Sequence, residues 1–280
     1  MAQLFISDLD GTLLRNDATL SDYARHHLER MLESGLPFSI ATARSLTSVQ
    51  QIIGDLPVQL PIVCANGAYM ADLKSGEHAF TQSLPTETAA HILETVARER
   101  YSSFVSAYNG SQRQLYFPRQ RDAGAQWYWK ERSSLQDPRL REVDKLEHSL
   151  NDQVICLSII NRMENIMALK ARFAEQFPDQ LEMYVYHDVP EAGWGWLSIY
   201  DHQSTKANGI RHISQVAGYE IGQTIVFGDQ NNDISMFRMA GKGVAMGNAI
   251  EALKEVAHEI IGTNEEDSVV NYLRNLTDHS

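Results

Sequence analysis

Cysteine is scarce in this chain: two residues in 280, Cys64 and Cys156, each inside an apolar run. That scarcity excludes a disulfide framework and reads as two buried thiols in a reducing compartment. Basic residues are also short, with 24 Lys and Arg against 36 Asp and Glu, for a formal net charge of −12. Such a balance excludes a general nucleic-acid binder or a partner of anionic membranes, and an anionic substrate would need cationic groups gathered locally. No apolar run approaches the roughly 20 residues of a membrane-spanning helix. No basic segment precedes the first acid at Asp8, so a secretory signal is not expected and the expected location is the cytoplasm. Internal repeats and low-complexity stretches are absent too. What remains is a chain with 43% hydrophobic residues, long enough for one large domain or two of ordinary size.

The chain is organised around its first strand. Leu4, Phe5 and Ile6 form a short apolar run of the kind found in a parallel strand buried on both faces. Asp8 and Asp10 stand where that strand should end, followed at once by Gly11 and Thr12. Ligands of open parallel sheets bind outside the carboxyl ends of the strands. Two acids crowded there repel each other unless a cation or a shared proton relieves them. Gly11 permits a sharp turn with positive φ, bringing backbone close to whatever lies over the acids. The pattern therefore reads as a nucleophilic Asp8, a proton-handling Asp10 and a bound divalent metal. A calcium loop of the EF-hand type is excluded, because counting from Asp8 the sixth residue is Leu13 instead of Gly and the twelfth is Thr19 instead of Glu.

Strand and helix signals then alternate. Ser21 caps a helix ended by Gly35, 37–41 reads as a second strand leading into Thr42-Ala43-Arg44, and a helix runs from Ser45 towards Ile53. Residues 61–65 form a third strand leading into Asn66-Gly67, and 69–80 reads as a hairpin. This alternation implies right-handed crossovers and a parallel sheet. The pattern changes near Ser83. From there to about His202 the order is helix, two short strands, helix, a strand over 153–160, helix and further strands. A block of that length is too long for a loop, and it reads as a separate α/β domain inserted into the first. After Lys206 strands are expected at 223–227, 243–246 and 258–261, with helices over 233–240, 249–257 and 268–276.

Four signals sit in the outer segments: Asp8-x-Asp10-Gly-Thr, Thr42-Ala43-Arg44, Lys206, and Gly228-Asp229-Gln-Asn-Asn232-Asp233. In this order they resemble the motifs of the haloacid dehalogenase superfamily, and over the whole chain its Cof-type phosphatases. The resemblance implies an α/β fold with a Rossmann-like parallel-sheet core at residues 1–83 and 203–280 and an inserted α/β cap, the substrate-specificity domain, at 84–202. It also implies magnesium and hydrolysis of small phosphomonoesters, such as sugar phosphates or phosphorylated cofactors, through an aspartyl-phosphate. Carried over by position, Asp8 is the nucleophile and Asp10 the acid/base. The metal falls to Asp8, the Asp10 backbone carbonyl, Asp229 and Asp233, with Asn232 in support. Thr42 and Lys206 hold phosphoryl oxygens, and Ala43, Arg44 and Asn232 join them as phosphate- or substrate-binding positions. The residue types suit this chemistry: attack by a carboxylate on a phosphate dianion requires that charge to be neutralised, which magnesium, Lys206, Thr42 and the N–H groups around residues 9–11 would do.

Members of the subfamily commonly carry Thr-Gly-Arg, so Ala43 is a departure expected to tighten or redirect the backbone; Ala207 after Lys206 is a milder one. Arg44 reads equally as a substrate contact or a structural ion pair, and Asn66 as a stabiliser of its turn. Trp127-Tyr128-Trp129 and Gly193-Trp194-Gly195-Trp196 read first as cap core and second as substrate-facing surface, and His187 with Asp188 as a polar loop. Two other functions stay open at this level: a phosphomutase or phosphotransferase on the same fold, and a catalytically idle sugar-phosphate-binding regulator.

Overall fold

The computed structural model describes residues 3–187 and 192–277. The chain divides into two compact units, Met1–Thr81 with Ser204–Ser280, and Gln82–Gln203. The first begins with β1 (Leu4–Ser7), α1 (Asp22–Glu33), β2 (Phe38–Ile40), α2 (Leu46–Ile53), β3 (Ile62–Cys64) and a hairpin of β4 (Tyr69–Ala71) and β5 (His78–Thr81). The second holds α3 (Thr86–Arg98), β6 (Ser103–Tyr108), β7 (Arg113–Pro118), α4 (Ala123–Ser134), β8 (Leu140–Val143), β9 (Gln153–Arg162), α5 (Met163–Gln176), β10 (Leu181–Tyr186) and β11 (Trp194–Asp201). The chain returns to the first with α6 (Lys206–Ala217), β12 (Thr224–Gly228), α7 (Ile234–Met239), β13 (Lys242–Ala245), α8 (Glu251–Lys254), β14 (Glu259–Ile260) and α9 (Ser268–Thr277).

The first unit is built on a parallel sheet in the order β14-β13-β12-β1-β2, which a bridge between Ala41 and Val63 continues to β3. Every residue of β1 is buried, which is why it reads as a continuous apolar run. Each fully buried Leu or Ile such as Leu4 and Ile6 contributes about 1.5–3 kcal/mol. Helix starts follow local chemistry: Ser21 Oγ accepts the Ala24 N–H at 2.9 Å, and Ser45 caps α2. The chain leaves β1 towards β2 on one side and places β12 on the other. The order therefore reverses between β1 and β12, and a crevice opens at their carboxyl ends. Helix α8 is shorter than its apolar pattern suggests. Ile250 is extended before it, and the His258 N–H returns to Gly243 O at 2.8 Å, drawing the chain back into the sheet.

The second unit is a six-stranded sheet in the order β10-β11-β9-β6-β7-β8, antiparallel except for the β7–β8 pair. Helices α3 and α5 bury Ile92, Leu93, Val96, Ile166, Leu169 and Phe173 on a core shared with Val105, Leu157 and Ile159. A second cluster of Phe104, Leu115, Phe117 and Ile160 receives Trp127, Tyr128, Trp129, Trp194 and Trp196. The tryptophan-rich segments are thus packing residues of this unit. Strand β8 has no counterpart among the strands expected from the sequence: it is an edge strand with Arg141 and Glu142 at its centre and no apolar alternation. Both cysteines are buried and neither is in a disulfide. Among the described residues no helix is long and apolar enough to cross a membrane.

Candidate active site

Adjacent parallel strands bring the two acid-bearing turns together. Ser7 on β1 is in register with Phe227 on β12, so Asp8 and Asp229 follow neighbouring strand ends. Asp8 stays extended (φ −66°, ψ 168°), and its N–H donates to Phe227 O at 3.0 Å. The chain then turns through Gly11 at φ 69°, and the turn closes where the Leu14 N–H donates to Leu9 O at 2.9 Å. A Cβ on Gly11 would stand 2.3 Å from Asp229 Oδ2, so both the backbone angle and the space demand glycine.

Three carboxylates converge: Asp8, Asp229 and Asp233 are all buried, with one oxygen of each within 4.8 Å of the others. Lys206, fully buried at the first position of α6, lies with Nζ 2.9 Å from Asp8 Oδ1 and 2.6 Å from Asp233 Oδ1. An ammonium at a helix N-terminus opposes the helix dipole, and burial adds desolvation; the two carboxylates offset both. Asp233 uses its other oxygen, Oδ2, to accept the N–H groups of Asp229 and Gln230, each at 2.9 Å. Thr12 Oγ1 donates to Asp229 Oδ1 at 2.9 Å. Burial, with Asp233 and Asp229 nearby, pushes Asp8 up to about 8 against the opposing pull of Lys206. Burial and then Asp233 push Asp229 up to about 6. Lys206 is held above its ordinary value, because Asp233 and Asp8 outweigh the opposing effect of its burial.

The cluster sets three buried acids against one ammonium, an excess of negative charge that a hard, oxygen-seeking cation would neutralise. The donor set therefore fits magnesium. The side chain of Asp10 lies outside the cluster. It is 50% exposed and held by Arg44, whose Nε and Nη2 donate to its two oxygens at 2.7 and 2.5 Å, while Nη1 donates to Ser48 Oγ at 3.1 Å. The ion-pair reading of Arg44 is the one the geometry supports.

Thr42, fully buried after β2, accepts the Arg44 N–H on Oγ1 at 3.1 Å. Its own N–H donates to Val63 O at 2.9 Å. Ala43 is not among the residues with positive φ, so alanine sits there without the strain that would require glycine. Asn232 Nδ2 donates to Asn66 Oδ1 at 2.9 Å. His187 is exposed, and Asp188 lies outside the described residues. Thr12, which stands inside the first motif, has no role expected from the sequence. Its hydroxyl next to Gly11 was the available signal; the partner, 217 residues away, was not.

The pattern that defines the haloacid dehalogenase-like hydrolases matches residues 5–273. The chain belongs to that family. It is 27% identical over 272 residues to the 5-amino-6-(5-phospho-D-ribitylamino)uracil phosphatase YitU of Bacillus subtilis, covering 97% of this chain and 96% of that one. To the pyridoxal phosphate phosphatase YbhA of Escherichia coli it is 26% identical over 273 residues, covering 95% of each. Among solved structures, the crystal structure of TM0651 from Thermotoga maritima superposes with a TM-score of 0.80 at 26% identity, covering 98% of this chain and 97% of that one.

Proposed function

We propose that the chain is a magnesium-dependent phosphatase acting on small organic phosphomonoesters through an aspartyl-phosphate on Asp8. The observation that carries this reading is the Asp8 carboxylate, buried at the switch point of the sheet, 2.9 Å from Lys206 and beside two further acids. Asp8, Asp229, Asp233 and the Asp10 carbonyl would hold magnesium, with Asn232 in support. When bound, the ion neutralises the acids and withdraws charge from the phosphoryl oxygens.

The chain's own residues supply the rest. An Asp8 oxygen attacks phosphorus as the bond to the leaving oxygen breaks, and Asp10 gives that oxygen its proton. Asp10, now a carboxylate, takes a proton from water as the water oxygen attacks phosphorus. The bond to Asp8 then breaks, releasing inorganic phosphate and restoring both acids. Lys206 and Thr42 hold the phosphoryl oxygens. Arg44 acts on the reaction through Asp10, whose carboxylate it orients.

The inserted unit, Gln82–Gln203, selects the organic part of the substrate. All four chemical motifs lie in the other unit, and the named relatives combine phosphatase activity with different organic parts. Two buried thiols outside any disulfide support a cytoplasmic enzyme acting on a phosphorylated metabolite. The test is a turnover screen over phosphorylated metabolites with and without magnesium, run in isotope-labelled water. Labelled phosphate released only with magnesium is expected. Phosphoryl groups passed to a second sugar without label would point to a phosphotransferase. No turnover anywhere would point to a binding protein.

A further inference from the structure

We propose that Asn66 is a positioning residue for Asn232, a role that rests on the phosphatase reading above. The turn after β3 has an unusual backbone: Ala65, Asn66 and Gly67 all have positive φ, at 51°, 56° and 102°. Non-glycine residues rarely adopt this region, and such outliers persist where the surroundings over-determine them, often at functional sites. The turn touches the elements that carry the phosphate- and metal-handling residues. The Asn66 N–H donates to Thr42 O at 3.0 Å. A Cβ on Gly67 would stand 2.1 Å from the backbone oxygen of Thr205, the residue before Lys206. The Asn66 side chain, fully buried, accepts from Asn232 Nδ2.

That last bond is between side chains 166 residues apart in the sequence, and it joins two turns of the same unit. Asn232 is half-buried in the short turn that also carries Asp233. Its amide has a donor end and an acceptor end, and either could face a ligand if the group were free to rotate. Committing Nδ2 to Asn66 leaves Oδ1 as the acceptor for a cation or its bound water. Asn66 thereby fixes the polarity that Asn232 presents, as partners behind a metal ligand commonly do. A purely structural role for Asn66 would not depend on its bond to Asn232.

The two roles separate in Asn66→Gly, because glycine adopts the left-handed backbone freely and removes only the side chain. Turnover of a phosphomonoester cleaved by the wild type, and the magnesium midpoint of the thermal shift, would be measured for Asn66→Gly, Asn232→Ala and the double variant. We expect Asn66→Gly to lower kcat/KM and weaken the magnesium midpoint by about tenfold each. The double variant should be no worse than Asn232→Ala alone. Asn66→Ser, whose hydroxyl is too short to reach Asn232, should behave the same way and serves if the glycine variant folds poorly. Wild-type turnover and midpoint in these Asn66 variants, while Asn232→Ala loses both, would overturn the proposal and leave the phosphatase reading intact. Losses that multiply in the double variant would also overturn it. An Asn232→Ala variant unchanged in both measurements would remove Asn232 from the reading itself, and the proposal with it.

Discussion

Lys206 Nζ bridges Asp8 and Asp233, at 2.9 and 2.6 Å, from a position with no solvent exposure. The contact links Asp8, the proposed nucleophile just past the end of the first strand, to the acid that closes the turn after β12. It makes one lysine a part of both the fold and the chemistry.

Replacing Lys206 should therefore damage both. Lys206→Ala leaves buried acids without their internal cation, and breaking a buried pair in this way costs about 3–5 kcal/mol. For a chain of this length each kcal/mol lowers Tm by about 2–4 °C. Thermal unfolding in EDTA should show the drop, and added magnesium should recover part of it while turnover stays low. A variant as stable as the wild type in EDTA would mean that the bridge contributes little.

The raised values of Asp8 and Asp229 predict how magnesium stabilisation varies with pH. Without metal, both acids bind protons more tightly folded than unfolded. Their contribution is fully present below the unfolded value of 3.8 and is lost as pH rises through about 6 for Asp229 and about 8 for Asp8. Magnesium favours the carboxylates and removes this loss. The magnesium-induced rise in Tm should therefore grow from pH 5 to pH 8, approaching the equivalent of about 2.7 kcal/mol at a hundredfold excess over Kd. Calorimetry across that range checks it. Asp229→Ala should lose most of the shift and Trp127→Ala should keep it. An equal shift at both pH values, or in Asp229→Ala, would place the metal elsewhere.

Arg44→Gln frees Asp10 from its bidentate partner. If Arg44 works through Asp10, kcat should fall about ten- to hundredfold for sugar phosphates and much less for aryl phosphates, whose leaving groups need little proton donation. KM should change little. Steady-state kinetics on both substrate types decide the matter, and a raised KM with unchanged kcat would assign Arg44 to the phosphate.

The legible parts were those written locally. The apolar run of Leu4 to Ile6, the caps at Ser21 and Ser45 and the acid-bearing turns each announce themselves within a few residues, so the core sheet and the positions of Asp8 and Asp229 at strand ends are legible locally, while Lys206 is picked out by the family resemblance. The hydrogen bonds from Thr12 to Asp229 and from Asn232 to Asn66 are not legible in this way, because they depend on which strands become neighbours. The partner of Arg44 stays open in the sequence for the same reason, since an ion pair and a substrate contact use the same guanidinium. Strand β8 was missed because an edge strand with charged residues at its centre carries no alternation to detect.

The central claim is covalent chemistry on Asp8. Asp8→Asn, an isosteric change that removes the nucleophile and one buried charge, should fold and lose turnover. The direct measurement uses Asp10→Asn, in which hydrolysis of the intermediate is slowed. It would be incubated with substrate and magnesium, quenched, reduced with borohydride and mapped by peptide mass spectrometry. Conversion of Asp8 to homoserine, dependent on substrate and absent in Asp8→Asn, is the predicted result. Phosphate release by the wild type with Asp8 unmodified and a different residue converted would contradict the account.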